Sequence, residues 1–377
     1  MTKFTTGLLS AAAGVALLVS ATAQAAGPKI VSGPGALPEC FIPAAKDTKY
    51  FQWPAKKGPY RIALANGFVG NTWRIQMIKT AKAYAELPEV KADLKEFKVV
   101  STGTDAAAQL GAIEDFINQG FDAIVTIAVS TTGFDRVIRQ ANAKGVVLVP
   151  FDNLLDTDQV MEMGEDQFKM GVMSGEWIKK YVGDKGKLLE VRGVPGNSVD
   201  RDRHLGFRSI VDKAPNQFEV IEVVGNWATG DSQKVTADAL AVHGHFDGVF
   251  TQGGSDGTVQ AMMDAKQKFV PVAGEGENAF RTQIAEHAKD GLKGMSYGQS
   301  PALVAISIKA AIAALKGDTM PQLISVPIPV ADFTDLKPGD NYFPELHEQF
   351  FADNAFPPCG VSFTAPQIMA QSAANPQ

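Results

Sequence analysis

Cysteine is scarce in this chain of 377 residues, which contains only Cys40 and Cys359. An exported protein with a lipid anchor carries an acylated cysteine at its new N-terminus, and Cys40 lies too far along the chain for that role. Neither cysteine has a histidine partner in its own segment, which argues against a cysteine nucleophile. We therefore expect neither a lipid anchor nor cysteine-based catalysis.

Positive charge and long apolar runs are also scarce. The chain has 35 Lys and Arg against 41 Asp and Glu, which gives a formal net charge of −6. A mildly acidic chain is typical of soluble proteins that do not bind nucleic acid. After residue 25, no apolar run is long enough to span a bilayer. The sequence thus predicts neither a nucleic-acid partner nor a membrane-spanning segment.

Motifs that hold nucleotides or metals are absent as well. No GxxxxGK[ST] loop occurs, and no GxGxxG follows the first predicted strand. His243 and His245 form the only close histidine pair, and their place between a helical pattern and a strand favours a surface loop over a metal site. No nucleophile, base and orienting group come together in the sequence. We therefore predict no cofactor, no metal and no enzyme activity.

The first 25 residues have the three parts of a secretory signal peptide. Lys3 supplies the positive charge, residues 7–19 form an uncharged apolar stretch, and Ala23-Gln24-Ala25 is a small-x-small cleavage site. The alternative, a membrane anchor, is disfavoured because the apolar stretch is short and rich in small residues. We expect cleavage near Ala25 and a periplasmic protein that diffuses freely.

From residue 60 onward, short apolar runs alternate with helical patterns for more than 250 residues. The runs are continuously apolar, which indicates parallel strands buried on both faces. Such alternation predicts βαβ units in a doubly wound α/β fold. Nine or more strands are too many for one compact sheet of this kind, so two similar lobes fit better. The predicted strands are residues 60–65, 98–101, 123–127, 146–151, 187–191, 220–224, 248–251, 270–273 and 294–297.

Both ends of the mature chain lack this alternation. Residues 26–59 are rich in Pro and Gly and predict an irregular N-terminal extension, and residues 341–377 predict a C-terminal extension that wraps the body. Each extension carries one cysteine. Because disulfides persist outside the cytoplasm, we predict a Cys40–Cys359 bridge between the extensions, with two free thiols as the alternative.

Polar and aromatic residues follow seven of the predicted strands at their carboxyl ends. Ligands of open α/β sheets bind at this edge, beside helix N-termini. Side-chain oxygens and Arg N–H groups suit the hydroxyls of a sugar, and tryptophan rings suit its flat C–H faces. The candidate ligand-binding residues are Asn66, Asn71, Trp73, Arg74, Asp152, Asn153, Arg203, Trp227, Gly253, Asp256, Glu275, Glu277 and Gln299.

These candidates have different expected roles. Trp73 and Trp227 are expected to stack on the ligand, and the two arginines to donate hydrogen bonds. Asp152 and either Glu275 or Glu277 would accept hydrogen bonds, and the sequence leaves the choice between the two glutamates open. Each residue also has a purely structural interpretation, because loop Asn and Asp are frequent turn and cap formers.

Several of these segments resemble the periplasmic sugar-binding proteins of ABC importers, in the ribose-binding-like (type I, cluster B) group. The resemblance covers roughly residues 60–330. It rests on Arg61-Ile-Ala-Leu-Ala-Asn66, on Val149-Pro-Phe-Asp152, on a G-x6-R-x2-G-F segment that ends at Phe207, and on Gln299. In that family, the arginine of the G-x6-R-x2-G-F segment binds the sugar, and the corresponding residue here is Arg203.

The resemblance implies two doubly wound parallel-sheet lobes joined by three hinge crossovers, near Asp166, Gln299 and Ile328. It places residues 60–165 with 300–328 in the N-terminal lobe, and residues 166–299 with 329–340 in the C-terminal lobe. It further implies lobe closure around a small neutral sugar or polyol and delivery to an ABC permease in the inner membrane. We expect a monomer.

The candidate site departs from the family pattern in ways that bear on the ligand. Gly253-Gly254-Ser-Asp256 replaces the family's Asn-Asp, and Arg74 replaces an aromatic residue, which indicates a ligand other than ribose. One alternative function is ligand sensing for a chemotaxis or two-component receptor. Another is an exported sugar-acting enzyme, which would need the catalytic groups that we do not find. The signal peptide argues against a LacI-type regulator of the same fold.

Overall fold

The computed structural model describes residues 1–2 and 27–374. The predicted signal peptide, residues 1–25, lies outside the described part except for residues 1–2. None of the helices in that part combines the length and the apolar character needed to cross a membrane.

The strands, in chain order, are β1 (Lys29–Val31), β2 (Ile42–Pro43), β3 (Tyr50–Gln52), β4 (Tyr60–Asn66), β5 (Leu94–Ser101), β6 (Ala123–Ile127), β7 (Val147–Pro150), β8 (Glu162–Glu165), β9 (Lys185–Arg192), β10 (Gln217–Val224), β11 (Gly248–Thr251), β12 (Val272–Glu275), β13 (Gly294–Tyr297), β14 (Thr319–Pro321), β15 (Leu323–Val326), β16 (Val330–Asp332), β17 (Ala355–Phe356) and β18 (Val361–Ser362). All nine predicted strands are present, with ends displaced by at most four residues.

The α-helices are α1 (Thr72–Ala85), α2 (Pro88–Lys91), α3 (Ala106–Asn118), α4 (Asp135–Lys144), α5 (Gln167–Val182), α6 (Ser198–Val211), α7 (Thr229–His243), α8 (Ser255–Asp264), α9 (Asn278–His287), α10 (Leu303–Leu315) and α11 (Ala365–Met369). Short 3₁₀ turns lie at Ala288–Asp290 and Pro357–Cys359.

The N-terminal lobe is built on a parallel sheet with the strand order β5-β4-β6-β7. Successive side chains of β4 enter two different cores. Ile62 and Leu64 pack on the side of α1 and α10, whereas Ala63 and Ala65 pack on the side of α3 and α4. Because helices cover both faces, the strand is apolar from Ile62 to Ala65, as the sequence predicts for a doubly wound sheet.

The C-terminal lobe repeats this arrangement with the strand order β10-β9-β11-β12-β13-β16. The first five strands are parallel, and β16 pairs antiparallel with β13 at the edge. Leu188 faces a core with α5 and α6, and Leu189 faces the opposite core with α7, α8 and α9. The carboxyl ends of these strands point at the other lobe, where the candidate residues meet.

The chain passes between the lobes at the three predicted crossovers. It leaves β8 for α5 at Asp166, leaves β13 for α10 through Gln299, and joins β15 to β16 through Ile328. The sheet β2-β15-β8 on the N-terminal side is linked to β7 by a parallel bridge between Phe151 and Met163. The lobes therefore share a hinge of three neighbouring chain segments.

Both extensions are fixed to the N-terminal lobe. A disulfide joins Cys40 and Cys359, whose Cα atoms are 4.7 Å apart across 319 residues of sequence, and both cysteines are buried. This confirms the predicted bridge. Short strands of the N-terminal extension pair with later ones, β3 with β14 and β2 with β15.

Candidate functional site

A small cavity lies between the two lobes at the carboxyl ends of their strands. The volume of the cavity that the centre of a water molecule can occupy is about 60 Å³. Ten of the thirteen predicted residues line this cavity. They are Asn71, Trp73, Arg74, Asp152 and Asn153 from the N-terminal lobe, Arg203, Trp227, Glu275 and Glu277 from the C-terminal lobe, and Gln299 from a crossover.

The start of α1 positions Arg74 on the N-terminal wall. Asn71 caps the helix, and its Oδ1 accepts a hydrogen bond from the Arg74 main-chain N–H at 2.9 Å. The Arg74 guanidinium donates to Asn66 Oδ1 at 2.9 Å and lies over the Phe68 ring at 4.8 Å. Burial lowers the pKa of Arg74 to about 10, against an opposing effect of Asp152. The guanidinium stays protonated at neutral pH, with donors left for a ligand.

Asp152 supplies the carboxylate of the same wall. It follows β7, has a backbone φ of 63° and is buried, and its Oδ1 accepts a hydrogen bond from the Gln299 side-chain amide. Burial raises the pKa of Asp152, and Arg74 and Arg203 partly offset this effect. Its neighbour Asn153 donates to the Ala128 carbonyl at 2.8 Å, which leaves its own side-chain oxygen for other partners.

Arg203 of α6 is fully buried on the C-terminal wall and already has many partners. Its guanidinium donates to Glu275 at 2.5 Å, to the Gln252 carbonyl at 2.7 Å, to Gln167 at 2.8 Å and to Gln299 at 2.9 Å. Four of its five N–H donors are thus in use. Desolvation lowers the pKa of Arg203, but Glu275, Tyr297 and Asp152 together more than offset this effect and hold the pKa above its usual range.

Trp227 lies half-buried at the turn after β10 with a φ of 54°. Its indole N–H is buried and has no partner within the described residues. Two glycines make room for the ring. A Cβ on Gly193 would lie 2.1 Å from Trp227 Cε2, and one on Gly253 would lie 2.9 Å from Cδ1. An aromatic face with a free N–H therefore borders the cavity.

Both glutamates that the sequence left as alternatives, Glu275 and Glu277, line the cavity. Glu275 is paired with Arg203. Glu277 Oε1 accepts the Gly254 main-chain N–H at 2.7 Å, whereas its Oε2 is buried without a partner in the described part of the chain. Desolvation, with Glu275 and Asp256 nearby, raises the pKa of Glu277 to about 8.

Three predicted residues lie behind the wall instead of on it. Asn66 holds the Arg74 guanidinium, and Gly253 leaves space for Trp227. Asp256 lies in the first turn of α8, where it accepts hydrogen bonds from the Thr229 hydroxyl at 2.9 Å and from another side-chain amide at 3.0 Å. Asn66, Gly253 and Asp256 thus lie next to residues of the wall and support them.

The wall includes residues that the sequence did not predict. Four of them, Phe68, Thr72, Val199 and Gly254, lie close in sequence to predicted ones. The other two, Gln349 and Phe351, belong to the C-terminal extension, where no strand–helix pattern signals a site.

Gln299 connects the two lobes at the centre of the site. Its main-chain oxygen accepts the Trp73 indole N–H at 2.7 Å. Its side-chain oxygen accepts from Arg203 at 2.9 Å and from Gln167 at 3.1 Å, and its amide donates to Asp152. One side chain of the hinge is therefore hydrogen-bonded to both walls.

Two serines have the GxSxG spacing that also occurs at nucleophile elbows. Both are fully buried. The Ser255 hydroxyl accepts the Glu275 main-chain N–H at 3.0 Å, and the Ser296 hydroxyl donates to the Glu275 carbonyl at 2.8 Å. Neither has a hydrogen bond to a histidine among the described residues, so these segments support the wall and offer no activated nucleophile.

Comparison with known proteins decides the family. Residues 62–319 match the family model described as periplasmic binding protein domain. The chain belongs to this family. Its members are substrate-binding proteins, so family membership confirms the prediction that this chain is not an enzyme.

Individual relatives are similar over most of the two lobes. The chain is 27% identical to the ribose import binding protein of Bacillus subtilis (strain 168) over 237 residues, which are 61% of this chain and 75% of the relative. It is 25% identical to the xylitol-binding protein of Mycolicibacterium smegmatis over 48% of this chain and 55% of that protein.

A solved structure shows the same fold. It is an ABC transporter periplasmic solute-binding protein from Actinobacillus succinogenes 130z with bound D-allose, at 20% identity and a TM-score of 0.63. The match covers 73% of this chain and 98% of that one. The predicted type I periplasmic binding protein fold is confirmed.

Proposed function

We propose that this protein captures one small neutral sugar or polyol in the cavity between its lobes and delivers it to an ABC permease in the inner membrane. The observation that carries the proposal is the composition of the wall, which combines carboxylate, amide and guanidinium groups with aromatic rings from both lobes. The ribose, xylitol and D-allose named for its relatives and structural neighbour support this ligand class.

The charges of the wall favour a neutral ligand. The two arginines, Arg74 and Arg203, are opposed by Asp152 and Glu275. The third acid, Glu277, has a pKa of about 8 and is mostly a neutral carboxylic acid at pH 7. Such a group donates one hydrogen bond and accepts others. A polyhydroxylated ligand satisfies all of these groups without bringing a charge into the buried site.

Each wall supplies groups for opposite sides of the ligand. On the N-terminal side, Arg74 donates and Asp152 accepts hydrogen bonds. On the C-terminal side, Glu277 Oε2 and the Trp227 N–H are buried polar atoms that have no partner among the described residues. A sugar between them gains both sets of contacts only when the lobes are closed. Ligand binding therefore stabilises the closed form.

The location and the partners follow from this assignment. The relatives are periplasmic binding proteins of ABC importers, and the N-terminal sequence supplies an export signal with cleavage near Ala25. We propose a periplasmic monomer whose closed lobes form the surface that the permease binds, and no nucleic-acid partner.

A thermal-shift screen of the protein purified from the periplasm tests the proposal. The panel contains D-ribose, D-allose, xylitol and further pentoses, hexoses and furanoses, with a dicarboxylate and an amino acid as controls. We expect at least one sugar or polyol to raise the melting temperature in a concentration-dependent way. Stabilisation by the controls alone, or chemical turnover of a sugar, would contradict the proposal.

A further inference from the structure

The C-terminal extension forms a fourth connection between the lobes. We name residues 341–363 the C-terminal strap. The strap follows β16 of the C-terminal lobe and ends beside the Cys40–Cys359 disulfide of the N-terminal lobe. Between these points it passes the cavity, where Gln349 and Phe351 line the wall. The three hinge crossovers are thus not the whole connection between the lobes.

Main-chain hydrogen bonds fix the strap to the C-terminal lobe. The Asn278 N–H donates to the Phe350 carbonyl at 2.7 Å, and the Ala352 N–H donates to the Gly276 carbonyl at 3.1 Å. Asp353 is paired with the fully buried Arg281. These contacts follow directly after Glu275, so this part of the strap extends the loop that carries both glutamates of the site.

The same few residues are also held by the N-terminal lobe. The Gln76 side chain of α1 donates to the Phe351 carbonyl at 3.0 Å and accepts the Phe351 N–H at 2.9 Å. It donates to Asn354 Oδ1 as well, at 3.0 Å. Further along, Phe356 and Phe363 are buried in the core of the N-terminal lobe. The peptide units around Phe351 are therefore bonded to both lobes at once.

The two cavity-lining side chains of the strap have different chemistry. Phe351 is buried and adds an aromatic face to those of Trp73 and Trp227. The Gln349 amide donates to the Thr229 hydroxyl at 2.8 Å and to Asp256 at 3.0 Å. The Gln349 oxygen is left to accept from a ligand hydroxyl.

We propose that the C-terminal strap is an affinity-determining part of the ligand site. It holds Phe351 and Gln349 at the cavity, because its hydrogen bonds reach both lobes there. The inference rests on the proposed function, since it names two further residues that contact the same sugar or polyol.

The test compares two phenylalanines of the strap that share one core. Phe351 and Phe356 are 5% and 4% exposed and belong to the same buried cluster, but only Phe351 lines the cavity. Calorimetry with the sugar found in the thermal-shift screen gives the dissociation constant of each variant. We expect Phe351→Ala to weaken binding about tenfold or more and Phe356→Ala to change it by less than about threefold. Thermal unfolding without ligand should show a loss of stability in both.

A second pair keeps the test informative if the phenylalanine variants fold poorly. Gln349→Ala should weaken binding about fivefold or more, whereas Gln367→Ala, in α11 away from the cavity, should leave it unchanged. If the wild-type protein binds a sugar while Phe351→Ala and Gln349→Ala keep its affinity within about twofold, the strap proposal is overturned and the proposed function stands. If the wild-type protein binds no sugar or polyol, both are overturned.

Discussion

The two walls of the cavity each present a buried arginine, and the two arginines have opposite surroundings. Arg203 of the C-terminal wall has four hydrogen bonds, one of them to a carboxylate. The Arg74 guanidinium of the N-terminal wall has a single hydrogen bond among the described residues, to the neutral side-chain amide of Asn66. Burial lowers the pKa of both guanidiniums. For Arg203 this effect is more than offset by Glu275 and the other groups around it, so its pKa lies above the usual range, whereas the pKa of Arg74 falls to about 10.

This difference indicates that one arginine supports the wall and the other contacts the ligand. A guanidinium whose donors are already in use holds the loops of its wall in place, and Arg203 ties Glu275, Gln252 and Gln299 together. A guanidinium with unused donors in a buried site is poised for a ligand oxygen. We therefore assign the framework of the site mainly to Arg203 and ligand contact mainly to Arg74.

Replacing Arg203 should have the largest effect on folding. Arg203→Met leaves Glu275 as an unpaired buried carboxylate, and we expect the free energy of unfolding to fall by about 3–5 kcal/mol. Urea denaturation measures the change. Arg201→Met, two residues earlier in the same helix and exposed, is the control and should stay within about 0.5 kcal/mol of wild type. A loss under about 1 kcal/mol for Arg203→Met would remove its framework role.

Replacing Arg74 should affect binding more than folding. Arg74→Met keeps much of the apolar stem but removes the charged donors, so affinity for the sugar should fall between about tenfold and a hundredfold. The free energy of unfolding should fall by less than about 2 kcal/mol, because one hydrogen bond is lost. Calorimetry and urea denaturation on the same samples separate the two effects. Unchanged affinity would show that the comparison between the arginines is wrong.

The third wall acid gives a pH-dependent prediction. The pKa of Glu277 is raised to about 8 in the folded protein, so the folded state binds more protons than the unfolded state between the two pKa values. The contribution of Glu277 to the free energy of unfolding is fully present below the pKa that Glu277 has in the unfolded state. This contribution is lost as the pH rises through about 8. Glu277→Gln keeps the acceptor for the Gly254 N–H and does not titrate.

We therefore expect Glu277→Gln to gain stability relative to wild type as the pH rises from 5 to 9, on the order of 4 kcal/mol. Melting temperatures of both proteins across this range measure the difference, and acids that do not interact with Glu277 cancel in the comparison. A constant difference would mean that Glu277 is ionised throughout the range.

Asn71 should give the smallest effect, and it separates a helix cap from a ligand contact. Asn71→Ala removes the hydrogen bond to the Arg74 N–H and should lower the free energy of unfolding by about 1 kcal/mol. Asn71→Asp keeps the cap and should restore that stability. If Asn71→Asp has wild-type stability but weak sugar binding, then Asn71 also contacts the ligand.

Much of the site could be predicted from the sequence because parallel strands end at one edge of a sheet. Asp152 after β7 and Glu275 at the end of β12 come from different lobes, yet both were predicted to meet at the cavity. The same reasoning selected Asn66 and Asp256, which lie behind the wall of the cavity. A strand-end position does not reveal whether a side chain faces the cavity or a neighbouring loop.

The strap could not be predicted in this way. Phe351 lies in a segment without strand or helix periodicity, and its position depends on tertiary contacts with Gln76 and with the loop after β12. The cysteine pair did indicate that the two ends of the chain meet. It did not indicate that the C-terminal strap lines the cavity.

The most direct test of the account is a crystal structure of the complex with the sugar or polyol that gives the largest thermal shift. The account predicts one ligand enclosed between the lobes, with hydrogen bonds to Arg74 and Asp152 on one side and to Glu277 on the other. A ligand bound outside this cavity, or one that contacts the residues of a single lobe, would contradict it.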